Sequence, residues 1–256
     1  MISSPANERL KNLRSLLRDP ADWPVFAVEG VRALEEIARA GVKPESVFYS
    51  ARLEATPRGL TLLQSLTQRG AEAVQVSESV LEKISAAETS QGAVAVVPKI
   101  QWTFEEMAAT SHPIFLFEGL SDPGNLGTLV RIADAFDLGG IVLDTGSVSP
   151  YNPKAVRAAA GSLFRAPVLP LPIGEALAFL ETEDYTVVRA EPRGGVPLRS
   201  FPERGRVAVL FGGEAHGISA QWTSRIPKTL RIEMPGAVES LNVAVAAGIV
   251  AHHLSA

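Results

Sequence analysis

The chain has 256 residues, 46% of them hydrophobic and 20% charged, with a mean hydropathy of +0.14, a composition that suits one large or two ordinary folded domains and excludes disorder. It contains no cysteine, which excludes disulfides, thiolate metal sites and cysteine nucleophiles, and its four histidines, two of them adjacent at His252 and His253, give no basis for a metal cluster. Against 24 Lys and Arg stand 28 Asp and Glu, a net charge of −4 that argues against generic polyanion binding but leaves room for a local phosphate-binding patch.

The amino-terminal stretch MISSPANERLKNLRSLLRD is polar and lacks the apolar centre of a signal peptide, while Lys11, Arg14 and Arg18 recur at helical spacing. The longest uncharged apolar run, Val243 to Ala251, is far shorter than the roughly 18 residues of a membrane span, so a cytoplasmic protein with no membrane segment is expected. Strands are predicted at VFAV (25–28), SVFYS (46–50), AVQV (73–76) and GAVAVV (92–97), with helical patterns at 31–40, 57–69 and 77–86 and Gly41 as a helix stop. This small alternating α/β unit, residues 1–98, is followed by a polar connection at 99–112. A second unit, 113–256, carries IFLF (114–117), GIVLD (140–144), TVVRA (186–190), VAVLF (207–211) and LRIEM (230–234). These runs are continuously apolar, as in a parallel sheet covered on both faces, where ligands bind at the carboxyl ends of the strands.

The loops after three of these strands are marked by glycine. In SDPGNLGTLVRIADAF (121–136), Pro123-Gly124 is a turn and Asn125 is the expected N-cap of a helix with an apolar stripe at Leu126, Leu129, Val130, Ala133 and Phe136. Gly127 and Arg131 fall off that stripe, and a glycine in the first turn costs about 1 kcal/mol relative to alanine. A structural reading pairs Arg131 with Asp134 and merely tolerates the glycine; a functional one leaves bare backbone beneath an arginine. VAVLFGGEAHGIS (207–219) breaks at Gly212-Gly213 into Glu214 and Gly217, a tight turn or a close backbone approach to a ligand. In IEMPGAVESLNVAVAAGIVAHHL (232–254), Ser240 is placed to cap a final helix of small residues, and Asn242 is a polar residue among apolar ones. Between them, SPYNPKAVRAAAGSLFRAP (149–167) starts a helix with Asn152 as cap and Pro153 at its first position, and presents Lys154, Arg157 and Arg165 as a solvated face or a phosphate-contacting patch.

Taken together, DPGNLGTLVRIADAF, GGEAHGIS and MPGAVESLNVAVAA resemble the three motifs of the SpoU/TrmH branch of the SPOUT RNA methyltransferases, in order and across nearly all of 113–254; YNPKAVRAAAGSLFR resembles a segment common between the first two. Residues 1–98 resemble the L30e-like substrate-binding domain often joined to that catalytic domain. The second motif departs from the family pattern, which often has Asn before the Glu, where this chain has Gly213. The resemblance implies a trefoil-knotted, parallel-sheet α/β domain, a homodimer without metal, and S-adenosylmethionine as methyl donor for a ribose 2′-hydroxyl of structured RNA, ribosomal RNA favoured over tRNA. A fold retained for RNA binding without catalysis is the alternative, whereas a dinucleotide-binding enzyme lacks its GxGxxG. By resemblance, Asn125, Arg131, Glu214, Ser240 and Asn242 form the catalytic centre. Leu143, Thr145, Gly146, Phe211, Gly212, Gly213, Gly217, Ile232, Met234 and Leu241 hold the donor. RNA contacts are expected from Lys11, Arg14, Arg18, Lys154, Arg157 and Arg165, with Arg131 fixing a phosphate bidentately over Gly127.

Overall fold

The computed structural model describes residues 1–85, 91–213 and 216–255. In chain order the elements are α1 (Glu8–Arg18), β1 (Val25–Glu29), α2 (Val31–Arg39), β2 (Ser46–Tyr49), α3 (Ala51–Glu54), α4 (Pro57–Gln68), β3 (Glu72–Gln75), α5 (Glu78–Ile84) and β4 (Ala93–Pro98). There follow α6 (Phe104–Ala109), β5 (Ile114–Glu118), α7 (Pro123–Ala135), β6 (Gly140–Leu143), α8 (Pro153–Ala159), β7 (Val168–Pro170) and α9 (Ile173–Thr182). The last are β8 (Thr186–Ala190), β9 (Val196–Pro197), β10 (Val207–Gly212), α10 (Ala220–Arg225), β11 (Thr229–Arg231) and α11 (Val243–Leu254). Among the described residues no helix is long and apolar enough to cross a membrane.

Two compact units result, Met1–Ile100 with Tyr151–Arg165, and Gln101–Pro150 with Ala166–Ala256. In the first, four strands run in the order β1-β4-β2-β3, with β4 antiparallel to both its neighbours and β2 parallel to β3. Asn7 caps α1 and buries Leu10, Leu13, Leu16 and Leu17 against the sheet side while Lys11, Arg14 and Arg18 stay exposed. Gly41 closes α2 as expected, at a φ of +73° that a side chain rarely adopts.

Segment 151–165, assigned by sequence to the C-terminal domain, packs on the first unit. The Phe26 ring lies 4.8 Å from Tyr151 and 6.2 Å from Phe164, and the Tyr151 hydroxyl donates to the Ile100 carbonyl at 2.7 Å. Its cap is as expected, Asn152 accepting from the Lys154 N–H with Pro153 at the first position.

The second unit is a seven-stranded sheet, β7-β6-β5-β10-β8-β11-β9, in which every pairing is parallel. Phe115, Phe117 and Phe211 stack across β5 and β10, with ring centroids 5.1 Å apart for both pairs involving Phe211. The polar stretch read as a connection carries a helix: Thr103 and Glu106 cap α6 reciprocally, and Phe104, Met107 and Ala108 enter this unit's core. The chain crosses from β5 outward to β6 and β7, then returns to place β10, β8, β11 and β9 on the other side of β5. Such a reversal opens a crevice at the carboxyl ends of the strands.

Candidate active site

Two helix starts differ from the sequence expectation, and the differences create the site. α7 is capped by Asp122, whose Oδ1 accepts from the Asn125 N–H at 2.7 Å, with Pro123 at the first helical position. Asn125 is therefore inside the first turn, and its side chain is not spent on capping its own helix. α11 is capped by Asn242 instead of Ser240; Asn242 Oδ1 accepts from the N–H groups of Ala244 at 2.9 Å and Val245 at 3.3 Å. A single asparagine amide has an acceptor and a donor end, and the donor end reaches across: Asn242 Nδ2 donates to Asn125 Oδ1 at 3.0 Å. The first and third motifs, 117 residues apart in the chain, are joined by this bond.

The second motif is built by backbone contact. The Gly217 N–H donates to the Gly213 carbonyl at 3.0 Å, closing a short loop after β10. A Cβ at Gly213 would stand 2.4 Å from the Gly119 carbonyl oxygen and 2.9 Å from that of Glu118, so the β5–α7 turn leaves no space for a side chain there. That explains the departure from the family's asparagine. Gly217 has φ +64° and open space where its Cβ would be, so a ligand can approach its backbone. Downstream, the Ser219 N–H donates to Glu118 Oε2 at 2.8 Å and ties the loop back to the end of β5. Glu214 lies outside the described residues.

Between these loops is a cavity of about 470 Å³, a size that fits a drug-sized ligand or cofactor. It is lined by Phe211, Gly212, Gly213 and Gly217 from the β10 loop, by Ile232 and Met234 after β11, and by Ser240, Leu241 and Asn242 before α11. Leu143, Thr145 and Gly146, also expected at the donor, do not line it. They follow β6, on the far side of β5 from β10, β8 and β11. In their place stand Ala190, Glu191 and Pro192 after β8, which the sequence reading missed although β8 is one of its apolar strands.

Asn125 and Arg131 are not among the lining residues; Asn125 is joined to the cavity through Asn242. Arg131 is exposed on α7 and, among the described residues, has no ion pair. Gly127 is buried, so the bare patch expected beneath Arg131 is covered. At about 100° per residue, position 127 lies only about 60° from Val130, which places it at the edge of the apolar stripe. Lys154 and Arg157 are exposed on α8, whereas Arg165 is engaged by Glu36 at 2.6 Å. Among the described residues no cluster of acidic or histidine side chains could hold a metal.

Comparison with known proteins agrees with this geometry. Residues 112–252 match the model of the SpoU rRNA Methylase family, and residues 7–95 match that of the MRM3-like substrate binding domain. The chain is 30% identical over 256 residues to the Bacillus subtilis 23S rRNA (guanosine(2553)-2'-O)-methyltransferase RlmP, covering 99% of this chain and 98% of that one. It is 27% identical to the Escherichia coli 23S rRNA (guanosine-2'-O-)-methyltransferase RlmB over 88% of this chain and 94% of that one. Among solved structures, the SpoU methyltransferase AviRb from Streptomyces viridochromogenes, in complex with the cofactor AdoMet, superposes with a TM-score of 0.86 at 25% identity, covering 97% of each chain.

Proposed function

The chain belongs to the SpoU rRNA methylase family, and from that premise we propose that it transfers a methyl group to a ribose 2′-hydroxyl of ribosomal RNA in the cytoplasm. The observation that carries this reading is the Asn242–Asn125 bond at the mouth of a backbone-lined cavity, because it brings the substrate-facing helix α7 to the donor side. The cavity suits S-adenosylmethionine in size and in the open backbone at Gly217. When bound, that donor supplies a methyl group on a positively charged sulfur, a good leaving group. Phe211, Gly212, Gly213, Gly217, Ile232, Met234 and Leu241 hold it, chiefly through backbone.

The remaining difficulty is a weakly nucleophilic hydroxyl, and positioning answers it, since orientation alone supplies up to roughly 7–11 kcal/mol in ideal cases. Arg131 clamps the adjoining phosphate with its planar fork. It does not act as a base, because a guanidinium stays protonated; the hydroxyl proton leaves through a phosphate oxygen or water. Asn125 and Asn242 fix the ribose side of the cleft, with Ser240 and Glu214 completing the centre. Lys11, Arg14, Arg18, Lys154 and Arg157 contact RNA phosphates, and the 2′-hydroxyl itself distinguishes RNA from DNA.

The active form is a homodimer through α7 and α11. Ile132 and Phe136 there adjoin Val245 and Ile249, which are 52% and 39% exposed on α11. Val245→Glu is expected to give monomers by light scattering. Incubation of the purified protein with labelled donor and deproteinised ribosomal RNA or tRNA tests the substrate. Ribose methylation mapped to one 23S rRNA nucleotide is expected; methylation of tRNA alone, or donor binding without transfer to either, overturns the assignment.

A further inference from the structure

Among the described residues lining the donor cavity, Glu191 is the one ionisable side chain. Its setting is unusual. The penultimate residue of β8 is Arg189, a charged residue only 9% exposed. A buried guanidinium needs partners, and two are present: Arg189 Nε donates to the Ile226 carbonyl at 2.7 Å and Nη1 donates to Glu191 Oε1. The Glu191 N–H in turn donates to the Leu230 carbonyl at 2.9 Å, and the Arg189 N–H to the Lys228 carbonyl at 3.0 Å. Backbone and side chain of Glu191 are thus both fixed, against β11 on one hand and Arg189 on the other.

We propose that Glu191 reads the ribose of the methyl donor, its free carboxylate oxygen accepting hydrogen bonds from the ribose hydroxyls; this rests on the reading of the cavity as the donor pocket. Three observations carry it. Oε1 is occupied by Arg189, among the described residues nothing donates to Oε2, and Glu191 is one of the residues lining the cavity. The ion pair cancels the carboxylate's charge, so Glu191 is suited to neutral hydroxyl donors and poorly suited to act as counterion of a sulfonium or ammonium. Finally, Glu191 directly follows the carboxyl end of a parallel strand, where open α/β sheets bind their ligands. Arg189 is then a positioning residue that acts through Glu191.

Calorimetric titration tests this without any turnover. The probes are S-adenosylmethionine, S-adenosylhomocysteine, 5′-methylthioadenosine, which keeps the ribose but lacks the amino-acid tail and the sulfonium charge, and the 2′-deoxy form of 5′-methylthioadenosine. Glu191→Gln is expected to weaken the first three alike, by about tenfold each. The wild-type protein should bind the 2′-deoxy probe about tenfold more weakly than its ribose parent, and Glu191→Gln should not distinguish the two. Undiminished binding of 5′-methylthioadenosine to Glu191→Gln overturns the proposal, and so does a loss confined to S-adenosylmethionine, which would make Glu191 a counterion. Should the variant fail to fold, the wild-type comparison of deoxy and ribose probes decides alone, and equal affinities overturn the proposal. A wild-type protein that binds none of the probes overturns the donor-pocket reading itself.

Discussion

Two concave surfaces of this protein, one in each unit, are made of opposite materials. In the second unit the cavity is lined by glycines, apolar side chains, Ser240 and Asn242 and, among the described residues, a single acid, Glu191, which is paired with Arg189. In the first unit a groove of about 590 Å³ is framed by Arg32, Arg39, Arg58 and Arg157 with Glu29, Glu35 and Glu36 among them. Its acids are mostly spent. Glu35 binds Arg58 through both oxygens, at 2.6 and 2.7 Å, and that guanidinium holds its carboxyl below the usual carboxylate range. Glu36 is shared by Arg39 and Arg165. Arg32 and Arg157 form no salt bridge among the described residues, and Arg32 adds to the positive charge that lowers Glu35. One surface is suited to enclose a small molecule by shape, the other to meet a polyanion by charge, which is how a protein of net charge −4 can still serve RNA.

The largest effect that tests this division belongs to Arg131, which faces substrate and not donor in the proposed chemistry. Arg131→Lys keeps the charge and loses the fork, and turnover is expected to fall by about 100-fold, the scale of a displaced reacting group, with donor affinity unchanged by calorimetry. Near-normal turnover would show that charge alone suffices and that no bidentate clamp operates.

Gly213 comes next. Substituting the family's usual asparagine, Gly213→Asn, forces a Cβ to within 2.4 Å of the Gly119 carbonyl oxygen. Overpacking against backbone costs about 1–3 kcal/mol, so thermal unfolding should shift down by several degrees and donor binding should weaken with it. If Gly213→Asn is as stable as the parent, the close approach of the β10 loop to the β5–α7 turn is not what selects glycine.

What was legible in the chain divides along the same lines. The strands of the second unit were visible because a sheet covered on both faces demands continuous apolar runs, and VAVLF and IFLF have no other easy home. The placement of those strands was not, since sheet order is a tertiary choice; hence the expected loops after β10 and β11 do line the cavity, whereas the one expected after β6 does not and the segment after β8 does. Helix starts were half legible. Asp122-Pro123 and Thr103-x-x-Glu106 are both written in local sequence, yet Asn125 is an equally good cap type three residues on, and the tract around Thr103 is polar enough to suit a loop. Asn242 was recognised by resemblance, while its double use as cap and bridge depends on Asn125 being one amide away in space. Arg189 in TVVRA was a visible anomaly in a buried strand, and only the position of Glu191 beside it gives it a purpose.

A smaller effect is expected on the charged side. Arg157→Ala removes one phosphate contact in the proposed RNA surface. It should weaken RNA binding across sequences alike and lower the slope of log affinity against log salt by about one, read by filter binding at several salt concentrations. The same change at Arg165, already committed to Glu36, should alter that slope less. Equal slopes for Arg157→Ala and the parent would remove α8 from the RNA-binding face.

The smallest effect concerns what keeps α8 on the first unit at all. Tyr151 donates to the Ile100 carbonyl, and burial pushes its phenol up from 10.0 to about 12. Tyr151→Phe keeps the ring against Phe26 and loses one hydrogen bond, a cost of about 1 kcal/mol near neutral pH. Because the folded-state value lies above the unfolded one, the hydroxyl's contribution is intact below pH 10 and is lost as pH rises towards 12. Denaturant midpoints of parent and variant should therefore stay a fixed interval apart up to pH 10 and converge between pH 10 and 12. A gap that persists unchanged through pH 12 would mean that the phenol ionises without strain, and that packing on Phe26, not the buried hydroxyl, secures the helix that carries Arg157.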